Sequence, residues 1–315
     1  MRSIVFASLL FALGAQAQDY PTRPVRLVIG YAAGGGNDII MRVVAAKMAE
    51  TFGQPILIDN RPGAQSIIAA EMVAKATPDG YTLLMGPSGP MTINPATYSK
   101  LPYAPLRDFA PISLIGQFPL VQVVAADLPV RSVKELIEYA KARPAKINYA
   151  SSAGPFQMAA ELFNQRTGTS FTHVPYKSSG ESVKATMTGE VTMTITDPAP
   201  AVGAIKSGKV RALAVTAAAR HASWPEVPTM AEAGVNDMII NIWTGVVAPA
   251  GTPAPIVKRL ADEIARSVRA PDVRERLLGM GVDPVSTTPE EFRAIIAADI
   301  TRWSAVAKSA NIKSD

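Results

Sequence analysis

The sequence predicts an α/β fold of two lobes, and three observations carry that prediction. Short apolar runs alternate with helical patterns along the chain. The runs are apolar on both faces, as strands covered by helices on both sides must be. The alternation also restarts after residues 120–126, and 315 residues is length enough for two domains.

The elements follow in order. "VRLVI" (25–29) reads as a strand and precedes a helix from about Asn37 to Phe52. "PILIDN" (55–60) precedes a helix near Ser66–Ala76, and "YTLLM" (81–85) is the next strand. After "LVQVVAA" (120–126), Ser132 and Glu135 form a capping-box pattern that opens a helix to about Arg143. "INYAS" (147–151), "FTHVPY" (171–176), "VTMTIT" (191–196) and "VRALAVT" (210–216) read as strands with helices between them. Towards the C-terminus, Ile256, Leu260, Ile264 and Val268 recur every fourth residue and predict one buried stripe. Lys258–Asp262 and Arg259–Glu263 are expected as pairs on the exposed side. In "TTPEEF", Thr288 is the expected N-cap, Pro289 the first helical residue and Glu291 the partner of a capping box.

Residues 1–17, "MRSIVFASLLFALGAQA", show a charged start, an apolar stretch and an A-x-A end. That is the pattern of a secretory signal, with cleavage expected after Ala17. The apolar stretch is too short to span a bilayer, which takes roughly 20 residues.

Composition narrows the function classes. With 48% hydrophobic and 18% charged residues, the chain is globular rather than disordered. The net charge of +5 is spread thinly, with no Lys/Arg-rich run, so nucleic-acid binding is not expected. There is no cysteine, which excludes disulfides, Cys–zinc sites, iron–sulfur clusters and thiol catalysis. Only His173 and His221 remain as histidines, so a multi-histidine metal site is not expected; no cofactor is expected either.

"GYAAGGGND" (30–38) has the outer spacing of a phosphate loop, but Gly36 and Asn37 stand where Lys and Ser/Thr belong. What remains is a strand, a glycine turn and a helix start. Such a turn presents backbone N–H groups at the positive end of a helix dipole and suits an anion of modest charge, such as a carboxylate. The other reading is a tight turn that needs only positive φ, but three consecutive glycines exceed that need. Asp38 reads as a helix-start residue rather than a catalytic acid. "NYASSAGPFQMAAELF" (148–163) repeats the design, with Ser151 and Ser152 either holding a second anionic group or capping a helix. Facing each other, the two turns would clamp a small diacid between lobes. Ser88 in "GPSGPM" is not on a nucleophile elbow but is placed in the cleft. Asp197 either meets an amino or hydroxyl group of a ligand or caps the next helix. His173 reads as structural and His221 as solvated, and Trp243 either packs against a ligand or, the favoured reading, serves core or interlobe packing. No nucleophile–base pair emerges, so no catalytic residue is assigned and hydrolysis has no evident machinery.

"YPTRPVRLVIGYAAGGGNDIIMR", "NRPGA", "PDGYTLLMG", "RDFAPI", "HVPYK", "VRALAVT", "PEVPTMAEAGV" and "WTGVVAPAGTP" lie in this order and cover nearly the whole chain beyond the signal. Together they resemble the extracytoplasmic solute-binding proteins of tripartite tricarboxylate transporters, the Bug family. The resemblance implies a two-lobed fold like that of type II periplasmic binding proteins, each lobe a mainly parallel sheet flanked by helices. It implies lobe 1 over 18–123, lobe 2 over 124–245 and a return of 246–315 to lobe 1, closing like a clam shell or Venus flytrap. It further implies a periplasmic receptor whose partners are a small carboxylate and membrane transporter subunits. A monomer is expected. Carried onto this chain, the ligand-binding residues are Tyr31, Ala33, Gly34, Gly35, Gly36, Asn37 and Asp38 in the first turn. Ser151, Ser152, Ala153, Gly154 and Phe156 follow in the second, with Ser88 and Asp197 beside them. The chain departs from the family's usual pattern at Gly30-Tyr31, Asn37, Gln65–Ile67, the "SSAGPFQM" loop and "YKSSG". Phe156 and Met158 point to an apolar or aromatic ligand body. The rival readings are a receptor for a membrane sensor kinase and an exported α/β hydrolase.

Overall fold

A computed structural model describes residues 20–309 apart from 145 and 223. The signal segment 1–17 lies outside the described residues. The chain runs β1 (Val25–Ile29), α1 (Gly36–Phe52), β2 (Ile56–Asn60), α2 (Ile67–Ala74), β3 (Thr82–Met85), α3 (Asn94–Thr97), α4 (Pro105–Asp108), β4 (Phe109–Pro119) and β5 (Val121–Ala125). It continues α5 (Val133–Lys141), β6 (Asn148–Ser151), α6 (Gly154–Thr167), β7 (Thr172–Pro175), α7 (Ser179–Met187), β8 (Met193–Thr196), α8 (Pro198–Lys206) and β9 (Val210–Val215). It ends β10 (Asn241–Pro249), α9 (Ala254–Arg269), α10 (Pro271–Gly279), β11 (Asp283–Pro284) and α11 (Pro289–Ser309).

Two sheets result, with strand orders β11-β4-β10-β3-β1-β2 and β7-β6-β8-β5-β9. The expected strand–helix units form parallel pairs: β1 with β2 and β3, and β6 with β7 and β8. Leu27 shows why these runs are apolar on both faces. It sits between Ile58 and Leu83 in a central strand and is fully buried. Both sheets are nonetheless mixed rather than mainly parallel. The strands that connect the lobes, β4, β5 and β10, pair antiparallel with their neighbours. The chain crosses to the second sheet between Pro119 and Val121, and β10 brings it back to the first. The paired strands β4 and β10 were not expected from the sequence. Their residues are buried almost throughout, so no period of two marks them.

Local signals mostly act as expected. Thr288 and Glu291 form a reciprocal capping box, each side chain bonded to the other's backbone N–H. Ser132 accepts from the Glu135 N–H, while the Glu135 carboxylate reaches back one residue further, to Arg131. Lys258 pairs with Asp262, but Arg259 does not pair with Glu263. Glu263 is buried and bonds Arg266 and Ser267, whereas Arg259 lies over the Phe52 ring. Leu260, Ile264 and Val268 are buried and Ile256 partly so, and α9 packs on β4 and α1. His221 is a second correction. Its side chain turns inward from a loop whose neighbours Arg220 and Ala222 stay exposed: it is buried, packs at a tilt on Trp224 and lies 3.8 Å from Asp283.

Candidate functional site

The cleft forms where strands of both sheets end. The segments after β1 (Tyr31, Gly35–Asn37), β3 (Pro87–Gly89), β6 (Ser152, Ala153, Pro155 and Phe156), β7 (Ser179) and β8 (Asp197) line a single cleft. Carboxyl ends of strands are where open α/β sheets bind ligands, because helix N-termini converge there. Phe118 of β4 and Ile242 and Trp243 of β10 supply an apolar wall. In this arrangement the lobes leave about 20 Å³ of free volume, room for roughly one water.

The glycine turn is built for close approach more than for positive φ. Of its three glycines only Gly34 has positive φ, at 81°. A Cβ on Gly36 would lie 1.5 Å from Asp197 Oδ2, and one on Gly35 would lie 3.4 Å from Ser178 Cβ. Gly35 is the N-cap of α1 and offers no capping side chain. The cap comes instead from the other lobe. The Gly36 N–H donates to Ser179 Oγ at 3.2 Å and to the Asp197 carboxylate, and the Ala32 N–H donates to the Lys177 carbonyl at 3.3 Å.

Asp197 stands at the N-cap position of α8, yet its side chain makes no capping bond there. Its carboxylate accepts from Thr196 Oγ1 at 3.0 Å and from Ser179 Oγ. Burial pushes its pKa above the ordinary carboxylate value, and these hydrogen bonds offset only part of that push.

Asp38 braces the turn from behind. It accepts from the Gly34 N–H at 3.0 Å, from Arg42 and from Asn60. Burial works to raise its pKa, but the bonds from Arg42, Gly34 and Asn60 outweigh it and hold the carboxyl below its ordinary value. Asn37 is oriented by Thr244 of β10, whose Oγ1 donates to Asn37 Oδ1 at 2.7 Å. Ser88 Oγ is buried in the lining with no hydrogen-bond partner. Tyr31 is buried too, and burial together with nearby Tyr103 and Asp197 raises its pKa, so it remains a neutral phenol.

Of the residues expected at the site, the fold brings Tyr31, Gly35, Gly36, Asn37, Ser88, Ser152, Ala153, Phe156 and Asp197 to this cleft. Ala33, Gly34, Asp38, Ser151 and Gly154 stand outside the lining. Gly154 is turned towards Ile93 and Asn94, and Asp38 towards its three donors. Ser151 Oγ lies 2.7 Å from His173 Nε2, a serine–base pair that the sequence did not reveal. Ser151 is buried outside the cleft lining, and His173 stacks on Tyr149. Burial lowers the His173 pKa, with a smaller opposing effect from Glu161. The pair therefore pins β6 to β7. Trp243 serves twice: it faces the cleft, and its Nε1 donates to Asp299 of α11 at 2.7 Å.

Ser179, Pro87, Phe118, Ile242 and Thr244 were not foreseen. Ser179 had a signal, since it follows a strand end like every other polar segment of the cleft.

On the far side of Tyr31 and Ser152, a cavity of about 470 Å³ is bordered by Lys177 and the turn 62–66. Ala64, Gln65 and Ser66 there hold positive φ of 45°, 54° and 71°. Gly30 and Ser66 are coupled, because a Cβ on Gly30 would lie 1.8 Å from Ser66 Oγ.

Comparison with known proteins agrees with this fold. Residues 40–312 match the family described as tripartite tricarboxylate transporter family receptor. BugT of Bordetella pertussis is 35% identical over 313 residues, covering 98% of this chain and 96% of BugT. A Rhodopseudomonas palustris protein solved with adipate superposes with a TM-score of 0.90 at 38% identity, over 93% of this chain and 99% of that one. MatC of the same organism, solved with bound malate, gives a TM-score of 0.87 at 33% identity, over 91% and 99% of the two chains.

Proposed function

The chain belongs to the tripartite tricarboxylate transporter receptor family, and we propose on that footing that it captures a small organic carboxylate between its lobes and delivers it to membrane transporter subunits. The observation that carries the reading is the glycine turn opening α1, which faces Ser179 and Asp197 of the other lobe across a cleft without a cation. Neutral N–H donors hold a carboxylate without a fixed countercharge, which suits a receptor that must release its cargo. The first N–H groups of α1 have no acceptor within the helix; that of Gly36 is taken by Ser179 and Asp197, which leaves those of Asn37 and Asp38. We assign these two to the ligand carboxylate, with Asn37, Ser88, Ser152 and Phe156 around it. A free volume of about 20 Å³ means that entry requires the lobes to part and close again.

The N-terminal export pattern supports a periplasmic location, and the protein is taken to act as a monomer. It is taken to be a receptor rather than an enzyme, because the Ser151–His173 pair does not open on the cleft.

A thermal-shift screen tests the reading, since a ligand that binds only the folded form raises the melting temperature. Adipate, malate, aromatic acids and amino acids are set against neutral sugars. At least one carboxylate is expected to stabilise the protein. A shift with neutral solutes alone overturns the ligand class.

A further inference from the structure

Among the described residues, Asp197 is the one carboxyl group in the cleft lining, and no lysine, arginine or histidine lines it. It is 3% exposed, and its carboxyl group is met by dipoles: the Thr196 and Ser179 hydroxyls, its own backbone N–H and the Gly36 N–H at the start of α1. A ligand carboxylate on the neighbouring N–H groups of Asn37 and Asp38 comes to lie beside this carboxylate. Like charges this close in a desolvated cleft repel strongly. A second ligand carboxylate would add a third negative charge, again without a cation.

Two further groups lack partners. Ser88 Oγ is 1% exposed, lines the cleft and bonds to nothing. Asn37 has its Oδ1 engaged by Thr244, which leaves its Nδ2 as a donor at the cleft. Both can serve a ligand carboxylate. Phe118, Phe156, Ile242 and Trp243 offer hydrocarbon surface, and Phe118, Phe156 and Trp243 are nearly fully buried.

We propose that the ligand is a zwitterionic amino carboxylate with an apolar body, and that Asp197 determines this specificity by accepting from the ligand ammonium. The carboxylate takes the N–H groups opening α1 together with Asn37 Nδ2 and Ser88 Oγ. The hydrocarbon part lies against Phe118, Phe156 and Trp243. An ammonium is preferred over a hydroxyl because it supplies both the donor and the missing positive charge. The inference rests on the receptor reading above and narrows its ligand class.

Calorimetric titration of the purified protein with matched sets tests it. One set is phenylalanine, 3-phenylpropanoate and benzylmalonate; another is leucine, 4-methylpentanoate and isobutylmalonate; adipate and malate are added. An amino acid is expected to bind at least about tenfold more tightly than its desamino and dicarboxylate counterparts, because a site built to bond a polar group rejects the analogue lacking it. In Asp197→Asn that preference is expected to vanish. Tighter binding of adipate, malate or a desamino acid than of every amino acid overturns the proposal, and that result needs only the wild-type protein. Equal tightening of all carboxylates by Asp197→Asn also overturns it, because Asp197 then competes for the glycine turn instead of reading the ligand. If neither protein binds any carboxylate, the receptor reading fails along with it.

Discussion

Replacing Gly36 with alanine probes a close contact between the lobes. The added methyl would lie 1.5 Å from Asp197 Oδ2 and 2.7 Å from its Cγ. Within its own lobe the change is benign. Gly36 is the first residue of α1 and its φ is not positive, so alanine there stabilises by about 0.4–1 kcal/mol through the unfolded chain. Between the lobes it forces the carboxylate off the Gly36 N–H. A hydrogen bond to a charged group contributes about 1.5–3 kcal/mol. Its loss shifts the balance between closed and open lobes by roughly 10- to 150-fold. Small-angle X-ray scattering should show Gly36→Ala more expanded than wild type, and calorimetry should show carboxylate affinity reduced by a similar factor. Its melting temperature should stay within a few degrees of wild type. Gly34→Ala is the control. Gly34 has φ of 81° with open space around the missing Cβ, so its substitution costs about 1–2 kcal/mol of stability without blocking closure. Wild-type compactness and wild-type affinity in Gly36→Ala would refute the reasoning.

Other expectations follow from the same geometry. Asp38→Ala removes the acceptor shared by Gly34, Arg42 and Asn60 and should lower stability by about 2–3 kcal/mol in denaturant titration. The Asp38 pKa is depressed in the folded state, so its contribution is present above its ordinary value of 3.8 and is lost as pH falls through the folded value. The stability gap between wild type and Asp38→Asn should therefore narrow on acidification below about 4. Asp197 has the opposite sign, because its folded pKa is raised. The gap between Asp197→Asn and wild type should shift in favour of the variant as pH rises above the ordinary carboxylate range. Ser66→Gly relieves a φ of 71° and deletes a buried hydroxyl without a partner. It should raise stability by about 1 kcal/mol, a melting shift of roughly 2 °C, and it should rescue Gly30→Ala, which alone collides with Ser66 Oγ.

By itself the sequence determined the strand–helix units and the place of the glycine turn. "VRLVI" and the helix beginning at Gly36 stand within a residue of where their pattern put them, as does the capping box at Thr288. These features arise from periodicity, capping and glycine content, which act over a few residues. The tertiary structure alone decided what the glycines are for. Nothing near residue 36 announces a carboxylate from residue 197, and the contact exists only because β1 and β8 end at the same cleft. Long-range packing likewise set the antiparallel pairing of β4 with β10, the burial of His221 and the bond from Thr244 to Asn37, 207 residues away in the chain. Local pattern fixes how a segment folds. Which charges then meet depends on the path of the whole chain, and in this cleft that path leaves one buried carboxylate and no cation.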